Sequence, residues 1–254
     1  MPQIKKPHEI EKIQQACRIT DRIFGRLRKY LSHVTSSETR SIEDTKQNNS
    51  YTSRRPFSKW QMITEKQLET RLLEQIKNAW CKPSFHPIVA AGANAAHPHW
   101  RADDTVLHGF VVIDFGVVYQ KYMSDMTRTI YVWTPSNEER KLYQLVLNSQ
   151  QDSMAYIKPG RYYKDAHRVA AATLWSEKEY FIHSLWHGLG TIIHEQPRIS
   201  AKGKWYFKKN MCITVEPGVY YEGKVWIRIE DTCVVGETDC LPLTKTTKKL
   251  VYFT

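Results

Sequence analysis

The chain has 254 residues, enough for one large domain or two small ones, and its 41% hydrophobic and 12% aromatic content indicates a globular protein with a real core. No apolar run approaches the ~20 residues of a membrane-crossing helix, and the start "MPQIKKPHEIEKIQQA" lacks the apolar centre of a secretory signal. The net charge of +11 and pI of about 9.3 are read as a solvated basic surface, since no nucleic-acid motif of the usual kinds occurs; contact with nucleic acid or ribosomes is the alternative.

In chain order, Ile10, Ile13, Cys17, Phe24, Leu27 and Leu31 recur at three- and four-residue steps, which predicts an amphipathic helix over 8–31. Residues 33–60 lose that period and are rich in serine, threonine, asparagine and charge, so they read as a polar surface insertion. Arg54 and Arg55 within it would suit an added binding role. A second helix is expected from Thr64, whose hydroxyl can form a capping box with Gln67, with Leu68, Leu72, Ile76 and Trp80 on one stripe. "PIVAAG" from Pro87 reads as a strand. The stretch Val111 to Val132 reads as a β-hairpin. A helix capped by Ser136 with Glu139 should then run to "KPG" at 158–160, followed by a helix over 162–179. Met211 to Val235 reads as a second hairpin. The class is α+β, with helices covering one side of a largely antiparallel sheet.

Each hairpin carries two acids. A turn centred between Tyr119 and Gln120 sets Asp114 opposite Asp125, and a turn centred on Gly223 sets Glu216 opposite Glu230. Carboxylates so close need a shared proton, an arginine or a metal. Four of them in one cleft cannot all stay ionised without cations. Histidines cluster nearby: His183, His187 and His194 in "HSLWHGLGTIIHEQP", and His97 and His99 in "AHPHW". Gly188 and Gly190 allow close backbone approach around His187. Four carboxylates with about one imidazole form a hard, oxygen-rich site suited to a pair of manganese, cobalt, iron or zinc ions, with hydrolysis as the natural chemistry. The competing reading pairs the acids with Arg128, Arg228 and nearby lysines. Five cysteines, odd in number and without a Cys-x-x-Cys pair, fit a reducing cytoplasm.

The segments "IDFG", "SDMTRT", "HGLG", "HEQP", "TVEPGVY" and "RIED" together resemble the pita-bread metallopeptidases, which include methionine aminopeptidases, aminopeptidase P and prolidase. The resemblance spans nearly the whole chain outside 33–60. It implies a curved sheet in two pseudo-symmetric halves and two divalent metal ions, manganese foremost. The implied ligands are Asp114, Asp125, His187, Glu216 and Glu230, with Asp125 and Glu230 bridging. Glu216 is implied as the base and acid for a metal-bridging water, and His99 and His194 as groups that hold the substrate and its tetrahedral intermediate.

Within the family the chain resembles the Xaa-Pro branch. "AGANAAHPHW" is similar to that branch's "GxNAAxPH" segment, and His183, Tyr220 and Arg228 stand at its substrate-contacting positions. The implied activity is release of an amino-terminal residue from an Xaa-Pro peptide. The alternatives are removal of initiator methionine, and a binding module without peptidase activity. The chain begins where the catalytic domain begins, so a single catalytic domain is expected, without the amino-terminal domain of the proline peptidases. A homodimer is compatible with the family. Trp186 stands where glycine is usual and His97 where a hydrophobic residue is common, so the pocket is expected to be reshaped there.

Overall fold

In the computed structural model, which describes residues 4–45, 63–97, 100–199, 205–221 and 225–254, the first element is a long helix, α1 (Pro7–Thr45). Its predicted stripe is buried at Ile13, Cys17, Phe24, Leu27 and Leu31. The helix runs fourteen residues past its expected end at 31, to Thr45. No glycine or proline lies between residues 32 and 45, so nothing breaks the ladder of hydrogen bonds. The first part of the expected insertion is therefore helical, and its remainder, with Arg54 and Arg55, lies outside the described residues. Helix α2 (Glu65–Asn78) opens on the expected capping box, with Gln67 N donating to Thr64 Oγ1 at 3.3 Å and Thr64 N to Gln67 Oε1 at 3.0 Å. Leu68, Leu72 and Ile76 are buried, each side chain contributing about 1.5–3 kcal/mol. Trp80 departs from the expectation. The helix stops at Asn78, Trp80 takes φ +56°, and it is 98% exposed.

The strands follow as β1 (Lys82–Pro83), β2 (Ile88–Ala91), β3 (Gly109–Phe115), β4 (Val117–Tyr119), β5 (Tyr122–Met123) and β6 (Met126–Val132). Helices α3 (Asn137–Tyr156) and α4 (Tyr163–Leu174) come next, and a 3₁₀ turn, Trp175–Tyr180, replaces the end of the helix expected to reach 179. Then come β7 (Trp186–Gly188), β8 (Glu195–Ile199), β9 (Cys212–Val215), β10 (Gly218–Tyr221), β11 (Val225–Arg228), β12 (Asp231–Val235), β13 (Cys240–Pro242) and β14 (Tyr252–Phe253). The two larger sheets have the orders β14-β6-β3-β2 and β13-β12-β9-β7-β8, and two small ones, β1-β4-β5 and β10-β11, continue the hairpins. Every pairing is antiparallel except β14 with β6.

Each sheet has its own pair of helices. Val111, Ile113 and Phe115 of β3 share a core with α1 and α2, while Ile213 and Val215 of β9 share one with α3 and α4. The period-two alternation of β3 then puts Asp114 on the face away from the α1 and α2 core. Two similar halves thus enclose one cleft. No helix among the described residues is long and apolar enough to cross a membrane.

The registers decide where the acids sit. In the second hairpin, Val215 pairs with Asp231 and Gly218 with Arg228, one continuous register that sets Glu216 opposite Glu230 as expected. Gly223 itself lies outside the described residues. The first hairpin is shifted: Asp114 pairs with Thr127, not with Asp125. Its turn is centred between Gln120 and Lys121, which take φ +47° and +73°, the left-handed pair of a two-residue type I′ turn. A shift of two residues preserves facing, so Asp125 is a diagonal neighbour of Asp114 on the same side. Gly116 lies between them along the strand, where a Cβ would run into the Ser124 carbonyl.

Candidate metal centre and active site

Asp114 comes from β3, Asp125 from the break before β6, His187 from β7, Glu216 from the end of β9 and Glu230 from the link between β11 and β12. Backbone bonds sew these segments together across the two halves. Glu230 N donates to Thr127 O at 3.1 Å, and Glu216 N to Leu185 O at 2.9 Å. Asp125 N donates to Thr232 Oγ1 at 3.0 Å, whose hydroxyl returns a bond to Asp125 O at 2.7 Å. Gly188, beside His187, faces β8 so closely that a Cβ would lie 2.7 Å from the Gln196 carbonyl. That close approach is the one expected of this glycine.

All five residues line one cavity of about 760 Å³. Ligand atoms of Asp125, His187 and Glu230 lie within 4.8 Å of one another. His187 Nε2 is 3.4 Å from Asp125 Oδ2 and 3.5 Å from Glu216 Oε1. Its Nδ1 faces the Gly188 carbonyl at 3.1 Å, so that nitrogen donates and Nε2 offers its lone pair inward. Thr214 Oγ1 donates to Glu216 Oε1 at 3.0 Å and Thr127 Oγ1 to Glu230 Oε2 at 2.6 Å, which orient these carboxylates from behind.

Asp114 Oδ1, Asp125 Oδ1 and Glu230 Oε1 are buried, with no hydrogen-bond partner among the described residues. Such oxygens are costly to leave bare. A divalent cation would satisfy them, and an oxygen-rich set with one imidazole suits hard or borderline divalent ions. The residues fit the metal pair that the resemblance implies. The salt-bridge reading holds only in part: Arg228 Nη2 lies 2.5 Å from Asp114 Oδ2, while Arg128 pairs with Asp231, outside the cluster. Arg228 also donates through Nε to Thr127 Oγ1 at 3.0 Å, so the guanidinium, Thr127 and Glu230 form one chain of bonds.

The electrostatics agree with an uncompensated cluster. Burial, then the charges of Asp114 and Glu216, pushes the Asp125 carboxyl well above the usual range. Burial, then Asp125, does the same to Glu230. Burial raises Glu216 too, against the opposing pull of His187 and Arg228. Burial works against the Arg228 cation, but Asp114 and the other acids hold it charged.

The substrate-side residues gather at the same cavity. His183, His194, Tyr220 and Arg228 all line it, and the Tyr220 hydroxyl bonds His183 Nε2. Burial and the nearby Arg228 cation push His183 down to about 3, which leaves it neutral. The His194 ring meets His187 edge-on at 4.5 Å. His99 lies outside the described residues. Trp186 is fully buried, stacked on Phe207 at 4.4 Å, with its edge against Tyr163 at 5.1 Å, and it reaches the cavity wall. His97 is absent from that wall and stacks on Trp100 instead.

The sequence reading missed Thr127 and Thr214. Each stands two residues from an acid of the cluster, Asp125 and Glu216, and so shares its strand face; that spacing was the available signal.

A family model described as metallopeptidase family M24 matches residues 11–237. The Xaa-Pro dipeptidase of Pyrococcus furiosus is 34% identical over 98% of this chain and 65% of its own length. The prolidase structure from Pyrococcus horikoshii OT3 superposes with TM-score 0.80 at 32% identity, over 98% of this chain and 65% of that one. The X-Pro aminopeptidase structure from Thermotoga maritima MSB8 gives TM-score 0.82 at 32% identity, over 98% and 64%. The chain thus spans less than two-thirds of the length of these relatives. The α+β pita-bread architecture is the shared fold. On the extent of the family match and the structures that share its fold, this chain belongs to metallopeptidase family M24.

Proposed function

We propose that this chain hydrolyses the amino-terminal Xaa-Pro bond of peptides with two divalent metal ions. The observation that carries the reading is the convergence of three buried carboxylates, the half-buried Glu216 and His187 on one cavity, with three carboxylate oxygens left without a partner among the described residues. The names of the relatives, Xaa-Pro dipeptidase, prolidase and X-Pro aminopeptidase, supply the bond class.

Asp114, Asp125, His187, Glu216 and Glu230 would hold the ions, with Asp125 and Glu230 shared. When bound, the pair supplies Lewis acidity that polarises the scissile carbonyl and acidifies water. Glu216, whose carboxyl is raised by burial, takes a proton from the attacking water and returns one to the leaving amine. His194, with His99, donates toward the oxygen that gains charge at the tetrahedral carbon. Neutral His183, bonded to Tyr220, offers a polar contact to the peptide, and Arg228 donates to Asp114 while facing the same cavity. We place the protein in the cytoplasm on the strength of its five free cysteines, with manganese as the native metal and a homodimer as the assembly.

The test is turnover of Ala-Pro, Ala-Pro-Ala and Met-Ala-Ser by purified protein with and without manganese, cobalt, iron(II) and zinc. Metal-dependent release of alanine from the proline peptides is the expected result. Turnover of Met-Ala-Ser alone would assign initiator-methionine removal, and no turnover with metal bound would assign a binding role.

A further inference from the structure

One carboxylate stands apart from the cluster. Glu65, the first residue of α2, is fully buried, and no ion pair to it is found among the described residues. Instead it gathers neutral donors. Ala91 N donates to Oε1 at 2.6 Å and Asn94 Nδ2 at 3.0 Å, while Trp100 Nε1 donates to Oε2 at 2.7 Å and Asp103 N at 3.4 Å. Only a carboxylate accepts at both of its terminal atoms; an amide would turn a donor against one of these N–H groups.

What Glu65 holds is a cavity wall. Trp100 lines the cavity together with Ile88, Tyr220 and Trp226, and it packs against the cluster that Tyr220 and Trp226 form with Ala90 and Val112. Tyr220 and Trp226 meet edge to face at 3.8 Å. Trp226 is 4% exposed. The wall therefore offers aromatic faces beside the metal ligands.

We propose that Trp100, Tyr220 and Trp226 form an apolar subsite for a side chain flanking the scissile bond, and that Glu65 is the positioning residue that fixes Trp100 in it. The inference rests on the peptide-hydrolase reading above. Glu65 touches no substrate; it acts through the indole.

The experiment is calorimetric binding, to the full chain with manganese chloride, of Leu-Pro and Gly-Pro analogues whose scissile carbonyl is reduced to a methylene. The wild type should prefer the leucine analogue by about tenfold, the usual discrimination of an apolar pocket. Trp100→Ala should shrink that preference to about twofold. Glu65→Gln should shrink it similarly in the wild-type background and add little in a Trp100→Phe background, where the indole N–H is already gone. An unaltered preference in Trp100→Ala overturns the subsite whether or not the Glu65 variant folds. An equal effect of Glu65→Gln in both backgrounds overturns the positioning role. Failure of the wild type to bind either analogue would instead remove the peptide-hydrolase reading beneath it.

Discussion

Glu230 and Asp231 are neighbours in sequence, both buried, and they have opposite surroundings. Asp231 Oδ1 accepts from Arg128 Nη2 at 2.6 Å and Thr244 Oγ1 at 2.7 Å, and Oδ2 from Gln150 Nε2 at 2.9 Å and Lys248 Nζ at 2.8 Å. Burial alone would raise its carboxyl, but Arg128 and Lys248 hold it well below the usual range. Glu230 has Thr127 on one oxygen, no partner among the described residues on the other, and a carboxyl pushed up. Alternation along the chain turns one side chain into the α3 side of the sheet and the other into the cleft. Burial is common to both acids. What separates a structural acid from one that awaits a ligand is whether the fold completes its bonds.

That contrast can be broken by mutation. The largest effect should come from Glu216→Gln, which removes the proposed proton carrier: kcat on Ala-Pro should fall by about 10²–10⁴. The thermal midpoint of the metal-free protein should not fall, because a carboxyl whose charge burial disfavours is being neutralised. Next, Asp231→Ala should destabilise the fold by about 3–5 kcal/mol in urea unfolding, since Arg128 and Lys248 are left buried without their counter-charge. If Asp231→Ala instead left stability intact and abolished metal binding, the two acids would have been assigned the wrong way round. A smaller effect on stability is expected from Glu230→Gln, within about 1 kcal/mol and in the stabilising direction for the metal-free protein. Its manganese affinity, read by calorimetry, should drop steeply.

Much of this contrast was legible in the residues, though unevenly. The second hairpin has the expected register, which runs unbroken from the Val215–Asp231 pair through Gly218–Arg228 to Tyr221–Val225, so a midpoint taken from the two acids alone locates it. The first hairpin was misplaced by two residues because Gln120 and Lys121 adopt left-handed conformations without the asparagine or glycine that announces them. The facing acids survived that error, since parity is unchanged. The short strands β7 and β8 have too few residues to show a period, so His187 is legible through the clustering of histidines beside the acid pairs and through the resemblance, not through its strand. Arg228 with Asp114 joins residues 114 apart, a contact no local pattern encodes. Glu65 looks like an ordinary first-turn acid, and only the tertiary fold brings Trp100 to it.

The pH dependence of the metal-free protein sharpens the comparison further, with the smallest effect. Asp231 has a depressed folded value, so its contribution to stability is present above the ordinary carboxylate range and is lost as pH falls toward that lower value. Asp125, Glu216 and Glu230 have raised values, so their contribution is present below the ordinary range and is lost as pH rises through the folded values. Stability without metal should therefore peak in mildly acidic solution, between the two losses, and decline toward neutral pH. Divalent metal competes with the protons these raised acids retain, so binding should release on the order of one proton near neutral pH. Calorimetry in buffers of different ionisation enthalpy measures that number, and manganese should restore the thermal midpoint most where the metal-free protein has lost most. Proton uptake on binding, or a midpoint that climbs steadily with pH without metal, would mean that the site acids are compensated within the fold as fully as Asp231 is.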